Sequence, residues 1–295
     1  MKIFITGGSG FIGRNLKEQL NGRYDLHAPS SEELDLLDDE AVATYLRQNK
    51  FDVVIHAATW NATRTSTKDT TKVLENNLRM FFNIARCSEH FGKMIYYGSG
   101  AEYDRRHWMP KMREDYFDAF VPADQYGFSK YIMRKHTEKS DNIIDLCLFG
   151  VFGKYEDWRI RFISNACCKA VWDLPIEMNQ NVLFDYLYID DLVKITEWFI
   201  EHNVKGNIYN ICTGKAVDFY MLARKVVAAS GKDVKILVAC EGLGTEYNGN
   251  NSRLLDTIDD LTFEDIDKSI EKLYRWYEMH KAEIPKEQLQ MEKWR

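Results

Sequence analysis

Thr6-Gly7-Gly8-Ser9-Gly10-Phe11-Ile12-Gly13 stands between a short apolar run, Lys2 to Thr6, and a helical pattern, Phe11 to Leu20, that stops near Asn21-Gly22. The run reads as a strand and the pattern as a helix, so the glycines occupy the first β-α turn. Each has a job if that turn holds a phosphate. Gly7 permits a tight turn, Gly10 lets the backbone approach a pyrophosphate, and Gly13 lets the helix pack closely on the strand. The spacing is G-x-x-G-x-x-G rather than G-x-G-x-x-G, and turns collect glycine for other reasons. Its place at the opening of a β-α-β chain makes dinucleotide binding the reading.

Outward from that loop, apolar runs and helical patterns alternate. Tyr24 to Ala28, Asp52 to Ala57, Met94 to Tyr97 and Ile143 to Phe149 read as strands. Glu40 to Asn49, Leu74 to His90 and Tyr126 to Ser140 read as the helices between them. The alternation predicts an α/β fold, a doubly wound parallel sheet with helices on both faces. After Gly153 it loosens into helices at Ile160 to Trp172, Asp190 to His202, Phe219 to Ser230 and Ile266 to His280, with one strand at Ile208 to Ile211. This predicts a dinucleotide-binding domain over 1–155 with a return segment at about 182–211. A smaller C-terminal substrate-binding lobe then takes 156–181 and 212–295.

The chain has 295 residues, 45% hydrophobic, 28% charged and 13% aromatic, the profile of a folded globular protein. Its 39 Lys and Arg against 45 Asp and Glu leave a net charge of −6. That balance lacks the basic footprint of a nucleic-acid or anionic-membrane binder. No run approaches the ~20 apolar residues of a membrane helix. The six cysteines form no C-x-x-C pair, which predicts neither a metal site nor a disulfide framework. Reduced thiols fit a cytoplasmic protein.

The second strand ends Ala28-Pro29-Ser30-Ser31 instead of on the acid that usually binds the adenosine ribose of NAD. Ser30, with Arg14 supplying charge, would suit a 2′-phosphate, so the reading is NADP(H), with NAD(H) as the alternative. Tyr126 and Lys130 stand four apart on a helix, facing one region. An ammonium there favours ionisation of the phenol, so Tyr126 can exchange a proton with a substrate oxygen. Ser99 follows the strand Met94 to Tyr97, at the carboxyl edge where such sheets bind ligands. Its hydroxyl can hold the same oxygen.

With these residues in this order, the chain resembles the extended short-chain dehydrogenase/reductase family, in its sugar-nucleotide epimerase/dehydratase/reductase branch. The resemblance covers nearly the whole length. It rests on the glycine loop, Asp35-Leu36, His56-Ala57-Ala58, Asn77, Ser99, Tyr126 with Lys130, Tyr188-Ile189-Asp190-Asp191-Leu192 and Tyr209 to Gly214. It implies a Rossmann-like fold and catalysis by Ser99, Tyr126 and Lys130. Gly7, Gly10, Phe11, Ile12, Gly13, Arg14, Ser30, Asp35, Leu36, Ala57, Ala58, Thr59 and Asn77 would bind the cofactor, with Tyr126 and Lys130 at its nicotinamide end. The substrate would be a nucleotide-sugar held by Ser99, Gly100, Arg159, Arg161 and Arg253. The helices Leu74 to His90 and Tyr126 to Ser140 would pair in a homodimer.

Departures from the branch narrow the chemistry. Dehydratases carry Asp-Glu where this chain has Gly100-Ala101, and fucose-synthase-like enzymes carry Cys at the Ala101 position. The common R-x-x-N-V-Y-G-P is here Cys147-Leu148-Phe149-Gly150-Val151-Phe152-Gly153-Lys154. Ketoreduction by NADPH is therefore the expected reaction, with an NAD-dependent 4-epimerase as the alternative. Asp190 and Asp191 read as helix caps rather than metal ligands, and His56 reads as a packed core residue.

Overall fold

A computed structural model describes residues 1–60, 63 and 65–290. Its first half follows the alternation: β1 (Lys2–Thr6), α1 (Phe11–Leu20), β2 (Asp25–His27), α2 (Asp39–Asn49), β3 (Phe51–His56), α3 (Val73–Ala85), β4 (Phe91–Ser99), α4 (Gln125–Thr137) and β5 (Ile143–Leu148). The second half is β6 (Gly150–Phe152), α5 (Phe162–Val171), β7 (Ile176–Asn181), β8 (Leu183–Tyr188), α6 (Ile189–Glu201), β9 (Ile208–Ile211), β10 (Ala216–Asp218), α7 (Phe219–Ser230), β11 (Ile236–Leu243), α8 (Ser252–Thr257), α9 (Ile266–Met279) and α10 (Lys286–Gln290). The helix expected over Leu74 to His90 ends at Ala85, and Ser88–His90 makes a separate 3-10 turn into β4.

Six strands form one parallel sheet in the order β2-β1-β3-β4-β5-β9. Alternate residues feed two cores. Ile3, Ile5, Val53, Ile55 and Ile95 pack with Leu16, Ile195 and Phe199 of α1 and α6. Phe4, Val54, Met94 and Tyr96 pack with Val42, Phe81, Ile84 and Met133 of α2, α3 and α4. Burial on both faces explains the unbroken apolar strands, and the fold is the doubly wound α/β sheet. The order reverses between β1 and β3, which opens the ligand crevice at their carboxyl ends.

The second lobe has a three-stranded sheet, β10-β8-β6, and a parallel pair, β7 with β11. Its helices α5, α7 and α9 share one continuous core with the α1/α6 face of the main sheet. Of the return segment, α6 and β9 join the main sheet, whereas β8 belongs to the lobe sheet.

Candidate active site

Two glycines of the first β-α turn stand where the backbone admits no side chain. Gly7 sits at φ +67°, and a Cβ there would stand 2.8 Å from the Ala58 backbone. A Cβ on Gly13 would collide with the Gly7 carbonyl, so only glycine lets α1 start this close to β1. Helices α2, α4, α7 and α9 are each capped by an aspartate: Asp38, Asp124, Asp218 and Asp265. Helix α1 starts on Gly10 with no side-chain cap and no acid in its first turn. The amides around Phe11 and Ile12 therefore present a positive helix end without a side chain in front of it, which fits a dinucleotide pyrophosphate.

The neighbouring loops are fixed by polar contacts. Thr6 Oγ1 accepts from the Ala58 N–H at 3.1 Å and meets His56 Nδ1 at 2.9 Å. Burial, then the charge of Lys130, pull the His56 pKa down to about 3, so it is a neutral core residue. Asn77 accepts from the Trp60 N–H at 2.8 Å and the Thr59 hydroxyl at 3.2 Å, and donates to the Val73 carbonyl at 2.9 Å. Its amide thus shapes the Ala57-Ala58-Thr59 turn. Asp35 accepts from the Leu37 N–H at 2.9 Å, and Asn83 donates to the Leu36 carbonyl at 2.9 Å.

Ser30 and Arg14 are not brought together. The Ser30 N–H donates to the Glu33 carboxylate at 2.7 Å, and this bond holds the Glu33 carboxyl below its ordinary range. The Arg14 guanidinium lies 3.7 Å over the Tyr155 ring instead. It lines a cleft of about 340 Å³ with Tyr155, Glu156, Trp276 and His280, between α1 and the second lobe.

Ser99 is the last residue of β4 and accepts from the Ala101 N–H at 3.2 Å. Asp124 caps α4 by accepting from the Gly127 N–H at 2.9 Å. Gly127 packs against the Ala101 carbonyl, where a Cβ would stand 2.7 Å away, and this contact seats the start of α4 on the Ser99 turn. Tyr126 is half-buried in the first helical turn. One turn later, Lys130 is 5% exposed and donates to the Tyr97 carbonyl at 2.8 Å. Its Nζ lies 4.5 Å from the Tyr96 ring centre and 5.7 Å from that of Tyr126. Strand β4 and helix α4 thus join Ser99, Tyr126 and Lys130 at one carboxyl edge.

A fourth residue was not anticipated from sequence. Tyr247, 6% exposed, comes from the loop after β11 and lays its hydroxyl over Gly100, beside Ser99. A Cβ on Gly100 would collide with that hydroxyl. Tyr247 lies in no periodic element, so no sequence signal marked it.

Behind α4 is a buried polar cluster. Arg134 donates from Nη1 to Glu102 at 2.5 Å and to the Tyr103 hydroxyl at 2.8 Å, and from Nη2 to the Glu114 carbonyl at 2.6 Å. Asp145, mid-β5 and opposite Tyr96 in register, has no hydrogen-bond partner on either carboxyl oxygen among the described residues. Burial, then the Glu102 charge, push its carboxyl well above the ordinary carboxylate range. Its carboxyl fills the space beside Gly98, where any Cβ would collide with it.

The substrate arginines separate. Arg159 bonds Asp157 at 2.8 Å, and Asp157 also accepts from the Thr65 hydroxyl at 2.6 Å, clasping a first-lobe loop to a second-lobe loop. Arg161 is exposed at the start of α5. Arg253 donates to the Ile208 carbonyl at 3.0 Å, at the amino end of β9 and so at the opposite sheet edge from Ser99. Asp190 and Asp191 are not caps. They lie inside the first turn of α6, where Asp190 accepts from Gln19 at 2.8 Å and Asp191 from the Glu264 N–H at 2.8 Å. Packing of α6 on α1 claims Asp190 and docking of the second lobe claims Asp191, both invisible to local sequence.

Among curated proteins, the chain is 27% identical over 256 residues to an ADP-L-glycero-D-manno-heptose-6-epimerase of Brachyspira hyodysenteriae, covering 75% of this chain and 79% of that protein. A solved GDP-mannoheptose C4 reductase from Campylobacter jejuni with NADP bound superposes with a TM-score of 0.80 at 19% identity, over 94% of this chain and 98% of that one. A UDP-glucose 4-epimerase from Thermotoga maritima gives 0.79 at 18%, over 95% and 99%. The family model for the NAD dependent epimerase/dehydratase family matches residues 3–212. With its glycine loop and its Ser99, Tyr126 and Lys130, the chain belongs to that family and is an NAD(P)-dependent enzyme.

Proposed function

We propose that the protein is an NADPH-dependent ketoreductase acting on a nucleotide-linked sugar. The observation that carries the reading is the meeting of Ser99, Tyr126 and Lys130 at the end of β4, followed by Gly100 and Ala101, which offer no side-chain acid or base. When bound, the nicotinamide supplies the hydride. Tyr126 gives its proton to the substrate oxygen, and Ser99 hydrogen-bonds the same oxygen. Lys130, held on the Tyr97 carbonyl, sets an ammonium charge beneath the phenol and reaches the nicotinamide ribose. Arg159 and Arg161, flanking the start of α5, are the groups proposed for the diphosphate.

NADP(H) is the proposed cofactor, with Ser30 as the 2′-phosphate contact. Several structural neighbours were solved with NADP bound, which supports the choice. The Glu33 carboxylate must then leave the Ser30 amide, so Glu33→Gln is expected to tighten NADPH and leave NADH unchanged. Equal affinity of the unaltered protein for both cofactors would overturn the preference. The outer faces of α3 and α4 are proposed to pair two copies in the cytoplasm, which sedimentation velocity tests.

A 4-epimerase would use the same three residues, and the similarity to epimerases keeps that reading open. The two differ in net redox change. Purified protein with nucleotide 4-keto-sugars and NADPH is expected to consume NADPH stoichiometrically with the keto group. Interconversion of UDP-hexoses by protein that retains its NAD, with no net oxidation, would instead establish the epimerase.

A further inference from the structure

Tyr247 is anchored more firmly than a loop residue needs to be. Its N–H donates to the Leu183 carbonyl at 2.9 Å, and its carbonyl accepts from the Asp185 N–H at 3.2 Å, so the loop is stitched to β8 at this residue. Its ring is packed against Trp108 at 4.1 Å, Phe184 at 4.9 Å and Phe149 at 5.2 Å between centres. Trp108 is itself pinned, donating from Nε1 to the Tyr103 carbonyl at 2.6 Å. The phenol is thereby held over Gly100, the residue after Ser99, in a gap that exists because residue 100 is glycine.

A serine hydroxyl carries one proton and two acceptor positions. The Ala101 N–H fills one acceptor position of Ser99. We propose that Tyr247, supplied by the second lobe, is a positioning residue that donates to the other, leaving the Ser99 proton as the group directed at the reacting oxygen. Burial holds the Tyr247 phenol in its protonated form, as a donor must be. The inference rests on the ketoreductase reading. It adds that Ser99 is correctly aimed only when the two lobes are docked, because the aiming group and the aimed group lie on different lobes.

Two measurements test it. The first needs no substrate: 3-fluorotyrosine at position 247 is read by fluorine NMR. Ser99→Ala is expected to move that resonance, and an unmoved resonance would overturn the contact. The second is steady-state NADPH oxidation with GDP-4-keto-6-deoxymannose or dTDP-4-keto-6-deoxyglucose. Tyr247→Phe is expected to lower kcat about tenfold, with KM and NADPH affinity little changed. In a Ser99→Ala background the same substitution should cost nothing further, because its only route to the chemistry has been removed. Gly100→Ala, which forces the phenol aside, should reproduce the kcat loss. Additive losses, or a Tyr247→Phe kcat within about twofold of the unaltered enzyme, would sink the proposal. Tyr126→Phe keeps the two readings apart. If that variant stays active, the ketoreductase mechanism fails while the NMR result stands. If it is inactive and Tyr247→Phe is not impaired, only the positioning role fails.

Discussion

On the first-lobe wall of the crevice, the side chains proposed to act end on main-chain atoms. Lys130 donates to the Tyr97 carbonyl, Asn77 to the Val73 carbonyl, and Thr6 accepts from the Ala58 amide. Where the second lobe meets the first, the side chains hold one another: Arg14 lies over Tyr155, and Thr65, Asp157 and Arg159 form a chain of side chains. Lys130 is 5% exposed, whereas the side chains of Arg159 and Asp157 are 41% and 27% exposed. A side chain bonded to a strand backbone moves only if the sheet moves, while an exposed side-chain pair can exchange partners at little cost. The first wall therefore has the rigidity that the proton transfer proposed for Tyr126 requires, and the seam with the second lobe has room to adapt.

The first wall is most exposed to loss at Tyr126. Tyr126→Phe removes one oxygen from a residue whose helix is fixed by other bonds, so melting temperature and cofactor affinity should hold. NADPH-dependent turnover should fall by about 10²–10⁴. Normal turnover in that variant would remove the first wall from the chemistry. Lys130→Met should cost nearly as much and weaken the cofactor too, measured as a higher NADPH dissociation constant, because one ammonium is assigned two tasks.

Glu156 sharpens the contrast from the other side, as a buried acid in the second lobe. It accepts from the Ser164 hydroxyl at 2.5 Å, and burial pushes its carboxyl up to about 7. A raised carboxyl favours the folded state below its ordinary value of 4.5 and loses that contribution as pH rises through about 7. Glu156→Gln cannot ionise, so its stability relative to the parent should improve between pH 5 and pH 8, by about 3 kcal/mol. Thermal unfolding of both proteins across that range checks the slope, and parallel curves would refute it. The smallest effect belongs to the clasp. Arg159→Ala should raise the substrate KM by about threefold to tenfold and leave kcat alone, as loss of a partly exposed contact does.

How far the sequence can be read follows the same division. Strands β1, β3, β4 and β5 are buried on both faces, so their apolar runs announce them, and the glycine loop and Tyr126-Lys130 spacing sit at their ends. Strands β6 and β10 are three residues long, too short for a period to show. Strand β11 is exposed along almost its whole length and has no buried face to leave an imprint. Within the site, Ser99, Tyr126 and Lys130 are legible because one strand and one helix carry them. Arg14 and Arg253 sit elsewhere than expected because their partners, Tyr155 and the Ile208 carbonyl, are remote in sequence. Tyr247 stands over Gly100 only through packing between segments remote in sequence, so no local pattern encodes it.

The fit of the Asp145 carboxyl beside Gly98 constrains how this protein can diverge. Any side chain at 98 would strike that carboxyl, while a smaller residue at 145 is sterically free to appear alone. The two positions can therefore change together only in one order, 145 first and 98 second. A lineage that takes the first step also gives up the acid beneath α4, and the second step then closes the space it would need to return.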